Sequence, residues 1–418
     1  MTYIKPETVS KVKAVLDLGT TAAQQQDWLE VSNCLKALPQ AKNKQGKPRF
    51  IIDSQEWQIA FDLALEMLMR SDFQDRWEVA KIMPQFGTAI IAPLSTMALD
   101  ETVEPEVRWF ICQIIGYFPQ PSVVLTLVRL LQQTSDDELI AIAGKTLIKI
   151  GDNAVEALVQ LVRQPEYSLL AAKSLSYIRS AATIAPLIDI ASHENSELRA
   201  IAINALGSFR DRRITPVLIA ALEDRASMVR KEAAIALGFR QDLLGETDLV
   251  GKLQPLLYDL HLDVCRQAAV SLGRMRQTAA TNALGDVLRA DTTPPSLKSD
   301  LVEALGWSQL SSGIDSLERA LNSEDESIGQ KIITTLGRTK EQKLKPQAVR
   351  VLIEFWERQK PCPNLTKQNL ATALGALSDR SASPVLEQLA ADGDRKVKLH
   401  AMAALKNLRK SSPNSENN

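Results

Sequence analysis

A block made of a small residue, Leu and Gly returns six times along the chain, at Ala205-Leu206-Gly207, Ala236-Leu237-Gly238, Ser271-Leu272-Gly273, Ala304-Leu305-Gly306, Thr335-Leu336-Gly337 and Ala373-Leu374-Gly375. Weaker copies stand at Phe86-Gly87, Ile115-Gly116, Leu147-Ile148, Leu175-Ser176 and Leu405-Lys406, giving a period of about 31 residues. Such a period belongs to supersecondary units too small to bury an apolar face alone, so that neighbours must stack. In the unit 214–238, Pro216 opens one helix, Glu223 to Ser227 turn the chain, and Met228 to Leu237 form a second helix. Proline suits a first helical turn because its absent N–H has no partner there, and Pro93, Pro186, Pro255 and Pro384 stand equivalently. The spacing predicts an all-α fold, a right-handed α–α superhelix of about eleven two-helix repeats. The Gly of each block is expected to stop the second helix in left-handed backbone, and the alanines before it to let neighbouring helices approach.

A chain of 418 residues would ordinarily suggest two or three domains, but a repeat array reads as one elongated domain. Residues 1–70 contain helical runs without the block and are expected to form an atypical helical cap, interrupted by a solvated basic linker at 41–49 that carries Lys42, Lys44, Lys47 and Arg49. The repeats then fill 71–410, and the polar tail 411–418 is expected to be disordered. Aromatics make up only 5% against 45% apolar residues, so Leu, Ile, Val and Ala must build the core. With 49 basic and 50 acidic residues the net charge is −1, which provides no global field for nucleic acid or anionic lipid. No segment reads as a membrane span or a signal peptide. Cys34, Cys112, Cys265 and Cys362 match neither a disulfide framework nor a zinc spacing, and a reducing cytoplasmic setting is expected.

Val-Arg, then Ala-Ala-x-x-Ala-Leu-Gly, then a helix opening on Pro-Leu, resembles the short HEAT-like repeats of E-Z type first recognised in cyanobacterial phycobilin lyases. The resemblance covers roughly residues 71–410. It implies a protein-binding scaffold or chaperone-like factor that grips a protein partner with a concave face lined by the second helices. Two alternatives come with it: a phycobilin lyase or lyase-isomerase that holds a bilin for a phycobiliprotein subunit, and an auxiliary factor that works with an iron–sulfur assembly protein and its cluster. Deoxyhypusine hydroxylase, of similar fold, carries His-Glu pairs that hold iron. Here only His193 of His193, His261 and His400 is followed by Glu. The tandem aromatics of the lyase branch are echoed in part by Arg108-Trp109-Phe110.

Candidate binding residues fall in three groups. Phe73, Trp77, Trp109, Phe110, Tyr117 and Phe118 concentrate the scarce rings in the first repeats, either as a binding surface or as a seal between cap and array. A base recurs eight residues before the Gly position, at Arg108, Arg199, Arg230, Lys298, Lys367 and Lys398; it either binds a ligand or joins an inter-repeat ladder with acids such as Glu106, Asp224 and Asp394. Cys265, four residues after His261, and Cys362, on a Pro-Cys-Pro loop expected to be exposed, are the candidate metal or redox thiols. No catalytic motif and no resident cofactor or metal site is legible.

Overall fold

A computed structural model of the chain describes residues 6–42, 46, 48–245, 247–322, 325–359 and 361–410, and the expected disordered tail 411–418 lies outside them, as do Lys44 and Lys47 of the expected linker. The fold is all-α, 77% helical. It divides into two compact units, the first ending at Ile190 and the second beginning at Ala191. The first holds α1 (Pro6–Gln24), α2 (Trp28–Ala37), the strands β1 (Gln40–Lys42) and β2 (Pro48–Phe50), α3 (Ser54–Arg70), α4 (Phe73–Ile82), α5 (Ile91–Leu99), α6 (Pro105–Ile115), α7 (Pro121–Gln133), α8 (Asp137–Ile150), α9 (Asp152–Val162), α10 (Ser168–Tyr177) and α11 (Ile184–Ile190). The second holds α12 (Ser196–Leu206), α13 (Ile214–Ala221), α14 (Ser227–Gly238), α15 (Leu249–Leu253), α16 (Leu262–Arg274), α17 (Thr278–Arg289), α18 (Pro295–Ser308), α19 (Ser311–Leu321), α20 (Glu326–Gly337), α21 (Lys345–Arg358), α22 (Asn364–Leu377), α23 (Ser383–Ala390) and α24 (Arg395–Lys410).

Within each unit the second helix of a repeat stacks on the second helix of the next: α4, α6, α8 and α10 in the first, α12 through α24 by even numbers in the second. The repeated prolines sit in first turns as expected, Pro93 in α5, Pro216 in α13 and Pro384 in α23. Helix pairing extends N-terminal of residue 71, since α1 packs on α2 and α2 lies against α4.

The block glycines do not stop their helices in left-handed backbone. Gly273, Gly306 and Gly375 lie inside α16, α18 and α22, Gly238 and Gly337 are the last residues of α14 and α20, Gly116 and Gly207 follow α6 and α12 directly, and of the block glycines only Gly87 has a positive φ, 79°. Left-handed turns fall three residues later on non-glycines, at Arg276, Gln309 and Ser378. The glycines are needed for contact. A Cβ on Gly207 would stand 2.7 Å from the Ala236 Cβ, one on Gly337 2.7 Å from the Ala373 Cα, and one on Gly375 2.6 Å from the Ala404 Cβ. In each case the atom met belongs to the small residue that opens the next block. Small, Leu and Gly are therefore one interlock: the small residue seats on the preceding Gly, and the Leu between them is buried.

One further expectation is corrected. The linker at 41–49 contains paired strand: Gln40 stands opposite Phe50, Ala41 opposite Arg49 and Lys42 opposite Pro48, antiparallel. Phe50 is the cause, its buried ring 4.8 Å from that of Phe86, in a cluster with Trp57 and Phe61. The run Phe73–Leu99 is long and apolar enough for a membrane span by length and composition, at a mean hydropathy of 1.3. In the fold it is α4, a 3-10 segment and α5, broken at Gly87, with 44% of that window buried.

Candidate protein-binding surface

Asp72 caps α4 by accepting from the Asp75 N–H at 3.0 Å, and so fixes where the helix starts. That register puts Phe73, Trp77 and Lys81 on one face at intervals of four residues. Phe110 of α6 is buried beneath them, its ring centroid 5.3 Å from Phe73, 6.2 Å from Trp77 and 5.0 Å from Trp109. Phe110 thus serves as core, whereas Phe73 is 52% exposed, Trp77 38%, and Trp109 half-buried. Tyr117, expected in the same cluster, stands apart with Lys149 Nζ 3.7 Å above its ring, and Phe118 makes no ring contact to the cluster among the described residues. Burial raises the Asp75 carboxyl above its ordinary range, and Asp72, Asp27 and Glu78 push the same way. Glu78 bonds Lys81 at 2.6 Å and Lys36 at 3.0 Å. The arrangement offers exposed rings on a rigid base with an ionised rim, which suits burial of another protein's side chains.

Of the recurrent bases, Arg108, Arg199, Arg230 and Lys367 have internal partners, and Lys398 is exposed with no ion pair among the described residues. Arg199 donates Nε and an Nη to Asp224 at 2.8 and 2.7 Å and its other Nη to the carbonyls of His193 and Glu194. Arg230 repeats this one unit on, holding Asp259 at 2.6 and 2.8 Å and the Asp224 carbonyl at 2.7 Å. Arg76 binds Glu104 and Glu106, Arg266 binds Asp300 at 2.9 Å, Lys331 binds Glu303, and Lys367 binds Asp392 at 2.8 Å. Arg108, 5% exposed, turns to the Ala98 carbonyl at the end of α5. The carboxylate pairs form an inter-repeat ladder along the second unit, and in the first unit the Arg76 pairs join α4 to the start of α6. Lys298 is half-buried near the start of α18.

All four cysteines are buried, and Cys362 corrects the expectation of an exposed loop thiol. Burial raises the Cys265 and Cys362 thiols and pushes Cys112 up to about 12, which disfavours the thiolate that metal binding and oxidation need. The Cys265 thiol donates to the Asp259 carbonyl at 3.1 Å, and His261 is exposed in the turn before α16. Among the described residues no group of three or more His, Cys, Asp or Glu is placed to hold a metal ion.

The family model described as HEAT repeats matches residues 91–179, 184–273 and 215–306, together just over half of the chain. The chain is a HEAT-repeat protein. Solved structures with similar HEAT-like folds include Kap95p in complex with RanGDP, 13% identical over 97% of this chain and 61% of that one, at a TM-score of 0.52. Importin beta is 15% identical over 85% of this chain and 56% of its own, at a TM-score of 0.47. Human deoxyhypusine hydroxylase is 20% identical over 64% of this chain and 99% of its own, at a TM-score of 0.28. No curated protein matches the chain.

One set of HEAT positions escapes a search for motifs: the residue directly after the Gly position of each block. It is Thr88, Tyr117, Lys149 and Tyr177 in the first unit, and Ser208, Phe239, Arg274, Trp307, Arg338, Ala376 and Asn407 in the second, all exposed. The signal is legible only once the repeats are aligned on the block.

Proposed function

We propose that this HEAT array is a protein-binding scaffold whose partner docks on the second-helix face of the first unit, with Phe73, Trp77 and Trp109 as anchors. The observation that carries this reading is the exposure of stacked rings in a chain that is only 5% aromatic and has Leu, Ile and Val enough to fill its core. Binding by a face of fixed helices needs no catalytic group, and the order of the stack supplies the preorganisation. A cytoplasmic protein is the partner proposed, and the resemblance to E-Z type repeats supplies two baits to try first, a phycobiliprotein subunit and an iron–sulfur assembly protein. The experiment compares wild type with Phe73→Ala/Trp77→Ala in affinity purification from the native host. Both side chains are partly exposed, so helicity and Tm should change little while a stoichiometric partner is lost. A partner retained equally by both proteins dismisses the assignment.

A further inference from the structure

In the second unit the residues that follow the block glycines from Gly207 to Gly337 form one row: Ser208 after α12, Phe239 after α14, Arg274 ending α16, Trp307 in α18 and Arg338 after α20. The Gly-to-small-residue interlocks put equivalent positions side by side, and the Arg274 guanidinium lies 4.7 Å from the Phe239 ring, one repeat away. Phe239 is 55% exposed and Trp307 49%, large fractions for rings on a chain so poor in them. Where Ser208 replaces a large side chain the row has a hollow of about 360 Å³, lined by Gly207, Ala236, Ile235 and Phe239 together with the polar Asn204, Arg210 and Glu232. Two bases beside the row are held by carboxylates, Arg213 by Asp211 at 2.8 Å and Arg276 by Glu341 at 3.0 Å, and Arg210 stands 3.9 Å from Asp242. Arg274 and Arg338 form no ion pair among the described residues. Stacking on a ring uses the face of a guanidinium and leaves its N–H edge for a carboxylate.

We propose that this row binds an extended, polyproline II-like segment of a partner protein that carries a large apolar or an acidic side chain at every third residue. The spacing follows from two lengths. Closely packed helices stand ~8–10 Å apart, and a polyproline II segment has three residues per turn at ~3.1 Å per residue, so every third side chain falls on one face and meets one repeat. Apolar side chains fill the hollow by Ser208 and stack on Phe239 and Trp307, while carboxylates pair with Arg274 and Arg338. A single-stranded nucleic acid fits less well: its closely spaced phosphates would meet only two unpaired cations, two repeats apart, with Asp211, Asp242 and Glu341 close by. The inference rests on the protein-binding reading but places a second contact in the other unit.

The test uses the full chain and fluorescein-labelled peptides read by anisotropy. One peptide carries Phe, Phe, Glu, Phe and Glu separated by two Gly or Ser residues; a second has the same composition with single-residue separations, and oligo(U) is the third probe. The first peptide should bind tightest, and Trp307→Ala should weaken it by about tenfold or more. Arg274→Glu/Arg338→Glu should abolish binding and gain affinity for the peptide with Lys in place of Glu. Phe73→Ala/Trp77→Ala should leave peptide affinity unchanged, which separates failure of this row from failure of the first-unit surface. Equal affinity for both spacings, insensitivity to the row variants, or binding of oligo(U) alone overturns the proposal.

Discussion

Gly337 reverses the usual sign of a glycine-to-alanine change in a helix. Alanine normally stabilises a helix interior by about 0.5–1 kcal/mol through backbone entropy. Here the new Cβ would stand 2.7 Å from both Cα and Cβ of Ala373, backbone and a stub that cannot rotate away. Gly337→Ala is therefore expected to lower stability by about 1–3 kcal/mol, read as a fall in urea midpoint, whereas Gly393→Ala, with nothing within 4 Å, should be near neutral. A neutral Gly337→Ala would show that the neighbouring helix gives way. The block itself is legible from sequence, but its purpose is not. A Gly after an apolar residue reads as a helix stop, and only the seating of Ala373 on Gly337 shows that the missing atom, not the permitted φ, is what matters. Cys362 misleads for a similar reason: two flanking prolines mark a loop, yet packing buries the thiol.

Between helices the ladder couples repeats through charge. The Arg199 side chain is 6% exposed and that of Asp224 15%, so Asp224→Ala strands a buried guanidinium; a loss of about 3 kcal/mol is expected, measured by denaturant unfolding. The exposed Arg213–Asp211 pair is the control, since solvent screens it and Asp211→Ala should cost far less. Burial works to raise the Asp224 carboxyl, but Arg199 and the Ala226 N–H together hold it below the usual range; Arg230 does the same for Asp259 against burial. A lowered carboxyl stabilises fully above the unfolded value of about 3.9 and ceases to do so as pH falls through the folded value. Unfolding midpoints should thus drop as pH falls below about 4, and less steeply in Asp224→Ala. A pH profile identical to wild type would remove this carboxylate from the acid response. At this scale the rungs from Arg199, Arg230 and Lys367 can be read from sequence as candidates, because each base stands eight residues before the Gly position, whereas those from Arg76, Arg266 and Lys331 fall at other offsets and cannot. The strand pair at 40–50 cannot: three-residue strands among Lys, Gly and Pro have the composition of a loop, and only the Phe50 anchor on Phe86 distinguishes them.

For the molecule as a whole, each interlock and most ladder rungs join a repeat only to its neighbour, so stability within a unit should be a chain of local terms. The link from Arg276 to Glu341 is an exception, since it passes over α18. Hydrogen exchange in sub-denaturing urea distinguishes nearest-neighbour coupling from all-or-none unfolding. If coupling is local, Gly337→Ala should reduce amide protection most in α20 and α22, which it wedges apart, and less in α18 and α24. Protection in α16 should fall more than distance alone implies, because Arg276 ties the end of that helix to the turn after α20, and Arg276→Ala should remove that excess. Protection in α12 and α14 should match wild type. A uniform loss from α12 to α24 would instead mean that the second unit opens as one body, and the row formed by Phe239, Arg274, Trp307 and Arg338 would then be present or absent as a whole.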